Sequence, residues 1–339
     1  MTQEKIADIT LQSALQETLR TLLGVEAGRE AYCAGLPQRS GTMTVVPVFG
    51  PERTDIALPS VGAALSRVRT YGSVDLTNSD RQKIGIAPLH MGFIQKGAQN
   101  HALCRSLLLG PGETVPLDDA CCVQAAQGGY LAGGEQRWFF VLPLALRSRA
   151  LQLRHQKGYN KLWTDIAVYN RTMGLDARGH LEQILTRKRA YLTQYQSRFE
   201  REESQIGALF FLEERLAGIE LAPSAEYFRE IWMPLVCFGY GVAAMQIETA
   251  APTPEEPPFT ATSLAELRSE LERSRRERDC QVAGWLRSAA RYGGAIKRQK
   301  PEARRGNLQL RTVEGAPVAG QIVHDGGQIV YASLFAVGK

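Results

Sequence analysis

The sequence lacks the regular cysteine and histidine spacings that mark metal sites and disulfide frameworks. Its six cysteines lie at positions 33, 104, 121, 122, 237 and 280 and form no Cys-x-x-Cys pair. Zinc ribbons and disulfide-stapled secreted domains depend on such spacing. We therefore predict reduced, partly buried thiols, no metal site and a cytoplasmic location.

Long apolar runs are also missing. The longest stretches, such as WFFVLPLAL at 138–146, have the length of a strand, whereas a membrane span needs about 18 apolar residues or more. The first ten residues, MTQEKIADIT, contain no basic start followed by an apolar core, so no signal peptide is predicted. We expect a protein that makes no membrane contact.

What the chain does contain is ample material for a core, with 44% hydrophobic residues among 339. Apolar residues recur at helical spacing in several segments. One is a leucine stripe at 9–24 that ends in Gly24, a residue suited to a helix C-cap. The predicted helices are 9–24, 58–68, 160–174, 180–205, 225–246 with a kink near Pro234, and one that starts at Ser263 with a capping box to Glu266.

Extended patterns are equally frequent. They cover 43–50, 74–78, 83–94, 105–123, 137–147 and 206–221. The sequence HDGGQ at 324–328 predicts a tight turn between two β-rich arms. Because an isolated hairpin is unstable in water, this one must pack back on earlier strands. The pattern therefore predicts an α+β fold, mostly an antiparallel β core, with long helices inserted in the middle and a C-terminal hairpin that packs on the core.

Three domain segments follow from these patterns. Residues 1–42 form an N-terminal helical extension, and residues 43–246 together with 308–339 form a single α+β domain. Residues 247–307 begin with a proline-rich linker, TAAPTPEEPPFTAT, and continue as a basic helical excursion.

One stretch, KGAQNHALCRS at 96–106, places hydrogen-bonding side chains between two apolar runs. Its amides and imidazole could recognise a nucleotide-like or sugar-like ligand. The alternative is that they satisfy backbone groups where strands meet a loop, because buried polar groups must be paired. The predicted ligand-binding residues are Gln99, Asn100, His101 and Gln124.

The same stretch carries a family resemblance. GAQNHALCRSLLLGPGETVPLDDACCVQAAQGGY resembles the signature of the ARG and rhodanese-phosphatase-superfamily-associated protein domain, a bacterial family, and GYNKLWTDIAVYN and VAGQIVHDGGQIVYASLF resemble later parts of it. The chain has His101 where the family has Arg, and Gln124 where it has Glu. The resemblance implies association with ADP-ribosylglycohydrolase and phosphatase partners, and so a link to nucleotide or ADP-ribose chemistry. Genomic association supplies no reaction.

The residues themselves allow three catalytic or metal-binding arrangements, and each has a simpler explanation or a missing group. Cys122 could act as a nucleophile with His101 or His324 as its base, but a reactive thiol needs electropositive neighbours. A zinc site from His101, Cys104 and Cys121 or Cys122 lacks a fourth ligand. The adjacent acids Asp118 and Asp119 are typical of a solvated turn.

Positive charge is concentrated near the C-terminus. Residues 264–312 contain thirteen Arg and Lys against six Asp and Glu, a net charge of +7, whereas the whole chain has +5. Most of this charge lies in residues 263–307, and that region is predicted to bind a protein partner or nucleic acid. The candidate residues are Arg275, Arg276, Arg278, Lys297, Arg298, Lys300, Arg304 and Arg305.

Together these patterns predict an accessory or ligand-binding module of a bacterial system linked to nucleotide or ADP-ribose chemistry, with any catalysis eroded. One alternative is an enzyme that acts on a nucleotide-like substrate in a pocket formed by Gln99, Asn100, His101 and Cys122. Another is a nucleic-acid-binding protein or a homo-oligomer joined by exposed strand edges such as 43–50. The sequence identifies no cofactor.

Overall fold

The computed structural model describes residues 3–24, 32–95, 99–125, 136–250, 260–292, 298–315 and 318–337. Helix makes up 37% and strand 33%, with a large antiparallel sheet, which confirms the α+β prediction. The helices are α1 Gln3–Leu23, α2 Pro59–Gly62, α3 Leu144–Gln152, α4 Trp163–Thr172, α5 Glu182–Arg187, α6 Arg189–Leu192, α7 Gln194–Arg198, α8 Ala225–Met233, a π-helical segment Pro234–Tyr240, α9 Gly241–Ala250 and α10 Leu264–Tyr292.

The strands are short and numerous. They are β1 Cys33–Ala34, β2 Gln38–Ser40, β3 Met43–Phe49, β4 Ile56–Ala57, β5 Ala64–Thr70, β6 Ser73–Thr77, β7 Ile84–Ala87, β8 Met91–Gln95, β9 His101–Ala102, β10 Leu107–Leu109, β11 Thr114–Leu117, β12 Cys121–Cys122, β13 Gln136–Val141, β14 Gly207–Leu212, β15 Arg215–Leu221, β16 Arg298–Arg305, β17 Leu308–Glu314, β18 Val318–Asp325 and β19 Gln328–Ala336.

The largest sheet has the order β1-β3-β14-β15-β19-β18-β17-β16, with β2 also paired to β3. All of its pairings are antiparallel. The predicted hairpin is confirmed as β18 and β19, and it packs back on the core because β19 pairs with β15. Strands far apart in sequence therefore lie side by side in one sheet.

Both faces of the central strands of this sheet are buried, and the side chains alternate between them as the pleat requires. In β3, Val46 and Val48 contact the core formed with α1 and α10, whereas Met43 and Val45 face the opposite core. The leucine stripe of α1 and the end of α10 cover the first face. Helix α10 is therefore a structural layer of the protein as well as a basic segment.

Three smaller sheets form the other side of the molecule. Their orders are β10-β7-β4, β11-β6-β5 and β12-β9-β8-β13. The 105–123 region was predicted as strand, turn, strand, and it does contain β10, β11 and β12. These three strands nevertheless pair with three different neighbours, because each has a partner from earlier in the chain.

The apolar helix near the middle of the chain is continuous but irregular. Pro234 follows α8 and begins the π-helical segment, in agreement with the predicted kink. Residues Ala225–Ala250 are long and apolar enough to cross a membrane by length and composition, but 67% of the most apolar window is buried inside the protein. This is the pattern of a core helix in a soluble protein.

Several predicted elements are wrong in detail. The long helix at 180–205 is three short helices, α5 to α7. The helix at 58–68 ends at Gly62, and strand β5 follows. Residues 137–147 end as the start of α3 rather than as strand. In the first two cases the amphipathic spacing fits a single turn of helix as well as a longer helix, and tertiary packing determines where the helix ends.

Two predictions about edges also change. The outer edge of β3 is covered by β1 and β2, so the exposed edge expected at 43–50 is absent. Residues 298–305, assigned from the sequence to the basic helical excursion, form instead the edge strand β16, in which Pro301 lies at a register shift. Proline and charge are the usual features of a protected edge.

The helix caps predicted at Gly24 and Ser263 are present. Gly24 has φ +73° and its N–H donates to the carbonyl of Arg20, as expected of a C-cap. The hydroxyl of Ser263 accepts the Glu266 N–H at 3.2 Å, but the Glu266 carboxylate accepts from Thr262 N–H at 2.8 Å rather than from Ser263. The Glu266 carboxylate therefore caps the N–H that lies one residue before the one a capping box would use.

Candidate functional site

The predicted amide cluster lies where β9 meets β12. Cys122 pairs with His101, and the Val123 N–H donates to the Asn100 carbonyl at 2.9 Å. The structure thus places the 99–101 residues beside Cys122, as the sequence predicted. The described hydrogen bonds that reach this cluster from elsewhere in the chain come from residues 72 and 159–182.

The cluster is buried rather than open. Exposed fractions are 3% for Gln99, 2% for Asn100, 0% for His101 and Cys122, and 8% for Gln124. Such burial is expected of polar groups that pair with one another and with the backbone. The arrangement is therefore a packed polar core with Gln124 at its margin.

Both ring nitrogens of His101 are engaged. Its Nε2 accepts the Gly72 N–H at 3.2 Å, so Nδ1 carries the proton and donates to the Gln99 carbonyl at 2.9 Å. Burial lowers the pKa of His101 to about 4. The imidazole is thus neutral and already hydrogen-bonded on both sides at neutral pH.

The Cys122 thiol is equally unsuited to nucleophilic chemistry. Its sulfur contacts the Gln124 carbonyl at 3.4 Å, and burial raises its pKa. His324, the other base considered, lies in β18, and burial lowers its pKa to about 4. The Asp118 side chain is 55% exposed, as expected of a solvated turn, and it also pairs with Arg69, whereas Asp119 is largely buried and pairs with Arg105.

Sequence reasoning missed the carboxylate that organises this cluster. Glu182, at the start of α5, accepts hydrogen bonds from Gln124 Nε2 at 2.8 Å and from Asn100 Nδ2 at 3.4 Å. The Trp163 indole N–H donates to the Cys122 carbonyl at 3.0 Å. Nothing in the local sequence around 182 distinguishes this glutamate from the solvated charges that follow it.

A second site opens on the surface between distant segments of the chain. It is a cleft of about 1080 Å³, which we call the arginine cleft. Its walls come from α1, from the β1–β2 segment, from the end of α7 and the residues after it, and from α10. The lining side chains used below are Arg39, Arg198, Arg275, Arg278, Leu36, Glu200, Glu202 and Asp279.

The arginines of this cleft are held by different contacts. Arg278 donates to the Pro37 carbonyl at 3.5 Å, and Arg275 lies 3.9 Å from the buried carboxylate of Asp279. Arg198 stacks over the Tyr195 ring at 5.4 Å and donates to Gln194 at 3.0 Å. Guanidinium groups fixed from both walls present positive charge to whatever enters the cleft.

Apolar surface adjoins these charges. A smaller depression shares the Leu36, Arg275 and Arg278 side and adds Leu271. Leu36 is 49% exposed and Leu271 48%, and Leu264, seven residues earlier in the same helix, is 85% exposed. Residues seven apart lie on one face of a helix, so α10 carries a leucine stripe that leads towards the cleft.

Four further predicted basic residues, whose side chains the structure describes, do not line the cleft. Lys300 pairs with Glu314 at 2.7 Å, Arg305 pairs with Glu113, and Arg304 donates to the Gly306 carbonyl at 3.1 Å. Arg276 is half-buried on α10 and does not line the cleft. Arg298 lies in β16, and Lys297 lies outside the described residues. The basic region therefore divides, and Arg275 and Arg278 are the predicted residues that face the cleft.

The fold and its sites define an α+β protein with a packed polar cluster and an arginine-lined cleft. Within that class, the chain belongs to the family of the ARG and Rhodanese-Phosphatase-superfamily-associated Protein domain, whose model matches residues 31–335. Comparison with curated proteins and with solved structures finds no match. The match begins before β1 and includes α10, so the amide cluster and every wall of the arginine cleft except α1 fall within it.

Proposed function

We propose that this protein is a non-catalytic accessory module that holds an acidic segment of a partner protein in the arginine cleft. The observation that carries the proposal is the convergence of Arg39, Arg198 and the α10 arginines on one open cleft. Arginine is enriched at the energetically important positions of protein–protein interfaces, and the exposed leucines beside the cleft add apolar surface.

The state of the amide cluster supports the absence of catalysis. A general base must be able to take a proton near neutral pH, and a thiol nucleophile must ionise. His101 has both nitrogens engaged, and Cys122 is buried with a raised pKa. In our proposal the cluster is a scaffold that holds β9, β12 and α5 together.

The chemistry of the cleft favours a protein over a nucleic acid. Glu200 and Glu202 are exposed among the arginines, so charges of both signs alternate in the cleft, which suits a segment with isolated carboxylates better than an unbroken run of phosphates. Leu36 and Leu271 offer apolar contacts that a phosphate backbone cannot use. The segment that fits is one that carries Asp or Glu beside large apolar residues.

The setting of this interaction is proposed from the family name. Association with ADP-ribosylglycohydrolase and phosphatase systems is the basis for placing the module in a bacterial cytoplasmic assembly that processes nucleotides or ADP-ribose. Self-association through the outer edge of β3 is not proposed, because β1 and β2 pair with that edge.

A peptide-display selection on the purified full-length protein tests the proposal. We expect enriched peptides to combine Asp or Glu with Leu, Ile or Phe, and a synthetic consensus peptide to bind with micromolar affinity. The double variant Arg275→Glu/Arg278→Glu should weaken that binding at least tenfold. Arg273→Glu is the matched control, because Arg273 is exposed on the same helix and does not line the cleft.

Two outcomes would overturn the proposal. One is a selection that yields no acidic consensus, or one whose peptides bind the double variant and wild type equally. The other is tighter binding of a labelled single-stranded oligonucleotide or of ADP-ribose, lost in the double variant and kept in the Arg273→Glu control. That result would assign the cleft to phosphate recognition instead.

A further inference from the structure

Two free thiols lie almost in bonding contact beside the amide cluster. The sulfurs of Cys104 and Cys121 are 2.9 Å apart, and the two residues are 2% and 0% exposed. A disulfide bond measures about 2.05 Å, so the sulfurs need to approach by roughly 0.9 Å. The pairing of Cys121 with Ala102 across β9 and β12 holds the sulfurs in this position.

Positive charge lies close to this pair. Lys161 Nζ donates to the Asp119 carbonyl at 2.7 Å and to the Gln156 carbonyl at 2.6 Å, and Arg105 pairs with the Asp119 carboxylate at 2.7 Å. The hydrogen bond from Cys121, and then Lys161 and Arg105, lower the pKa of Cys104. Burial raises the pKa of Cys121, so that Cys104 is the sulfur that ionises first.

We propose that Cys104 and Cys121 are a redox-active pair that a small peroxide converts reversibly into an internal disulfide. The Cys104 thiolate attacks one oxygen of hydrogen peroxide, which breaks the O–O bond and gives a sulfenic acid and hydroxide. Cys121 then attacks the Cys104 sulfur, and its proton leaves with the sulfenic oxygen as water. The two thiols lose two electrons, and the peroxide is reduced to two waters once the hydroxide takes up the first proton.

Burial determines which oxidants act on this pair. A molecule the size of oxidised glutathione cannot reach sulfurs that are at most 2% exposed, whereas hydrogen peroxide can enter a packed core during brief openings. Cys33 and Cys280 are exposed, so they provide an internal reference for large oxidants. We expect glutathione adducts on those two residues and none on Cys104 or Cys121.

Mass spectrometry of the full-length protein tests the inference. The reduced protein is treated with hydrogen peroxide, denatured, alkylated with N-ethylmaleimide and digested with trypsin. We expect the peptide GAQNHALCR, residues 97–105, to be linked to the peptide of residues 106–137, and dithiothreitol to release it. The closed loop joins residues 17 apart, so oxidation should also raise the melting temperature by about 5 °C.

Variants separate the pair from its neighbour Cys122. Cys122→Ser should keep the linkage, because its sulfur contacts the Gln124 carbonyl instead. In Cys121→Ala the Cys104 sulfenic acid has no partner, so dimedone should label it. The inference is overturned if the linkage disappears in Cys122→Ser, or if both sulfurs remain alkylatable after peroxide has oxidised Cys33. Neither result bears on the arginine cleft, so the two proposals fail independently.

Discussion

Arginine occupies two opposite settings in this molecule. Arg147, from α3, is fully buried, whereas Arg39, Arg198 and Arg275 are exposed in the arginine cleft. Arg147 forms an ion pair with Glu220 at 2.7 Å and donates to Tyr240 and Ser333, and its guanidinium lies over the Phe335 ring. Partners from several elements of the fold therefore hold the Arg147 guanidinium in place.

This difference shows which arginines can bind a ligand and which can only stabilise the fold. A buried ion pair has given up its hydration and is held only by its fixed neighbours, so it can recognise nothing else. An exposed arginine keeps water that a ligand can displace, and its pairing adds little to the stability of the fold. Arg147 therefore joins α3 to the main sheet, and the cleft arginines are available for binding.

The largest expected effect comes from breaking the buried set. Arg147→Ala leaves the Glu220 carboxylate buried without its cation, which should lower the free energy of unfolding by about 3–5 kcal/mol. Urea denaturation followed by circular dichroism measures the loss. In Arg147→Met/Glu220→Gln the unpaired charge is gone, so the double variant should recover part of the stability. Equal losses in both variants would show that charge pairing is not the cause.

The next effect is a pH dependence at His101. Its folded-state pKa, about 4, lies below the unfolded value of about 6.5. The unfolded chain therefore binds the proton first as pH falls, and stability is lost from about pH 6.5 down to about pH 4. The loss amounts to about 2 kcal/mol between pH 7 and pH 4.5.

His101→Gln removes this titration, so its stability should fall less steeply over the same pH range than that of the wild type. Denaturation midpoints at pH 7, 5.5 and 4.5 measure the difference. Parallel pH curves for the two proteins would mean that His101 is not the buried neutral group we describe.

A smaller effect is expected at Glu182. Glu182→Ala removes the acceptor of two amide donors, Gln124 Nε2 and Asn100 Nδ2. Gln124 Nε2 loses its acceptor in this variant, and a buried donor that loses its acceptor costs about 1–3 kcal/mol. Glu182→Gln keeps an acceptor oxygen and should cost less. Chemical denaturation of the two variants compares them, and indifference to Glu182→Ala would mean that the carboxylate does not organise the cluster.

The smallest effect on folding should come from the cleft itself. Arg275→Glu/Arg278→Glu is expected to lower the free energy of unfolding by about 1 kcal/mol, mainly because Arg275 lies 3.9 Å from the buried carboxylate of Asp279, whereas exposed pairs contribute little. The same variant should lose the binding described above. A large loss of stability would contradict the contrast between the two settings, since it would make these arginines structural.

Local patterns predicted much of the fold. The strands of 206–221, the closing hairpin and the start of α10 follow from alternation, turn chemistry and a capping residue, and each depends on neighbours within a few positions. The short strands β1 and β2 were missed because two or three residues carry no periodicity. They form only because β3 lies beside them.

The sites were predicted less completely for the same reason. The juxtaposition of Asn100 and Cys122 follows from two strand ends and was foreseen, but Glu182 enters from a helix about 60 residues further on. Arg147 resembles any solvated helical arginine in sequence. The arginine cleft joins four distant segments, and the charge count identified only the one contributed by α10.

The position of β19 has a consequence for biosynthesis. This strand, Gln328–Ala336, lies in the interior of the main sheet between β15 and β18, yet it follows every other strand in the chain. Because the ribosome adds residues from the N-terminus onward, the edge of β15 that pairs with β19 stays unpaired until residues 328–336 have been synthesised. Nascent chains halted before residue 328 should therefore be the form that needs chaperones most.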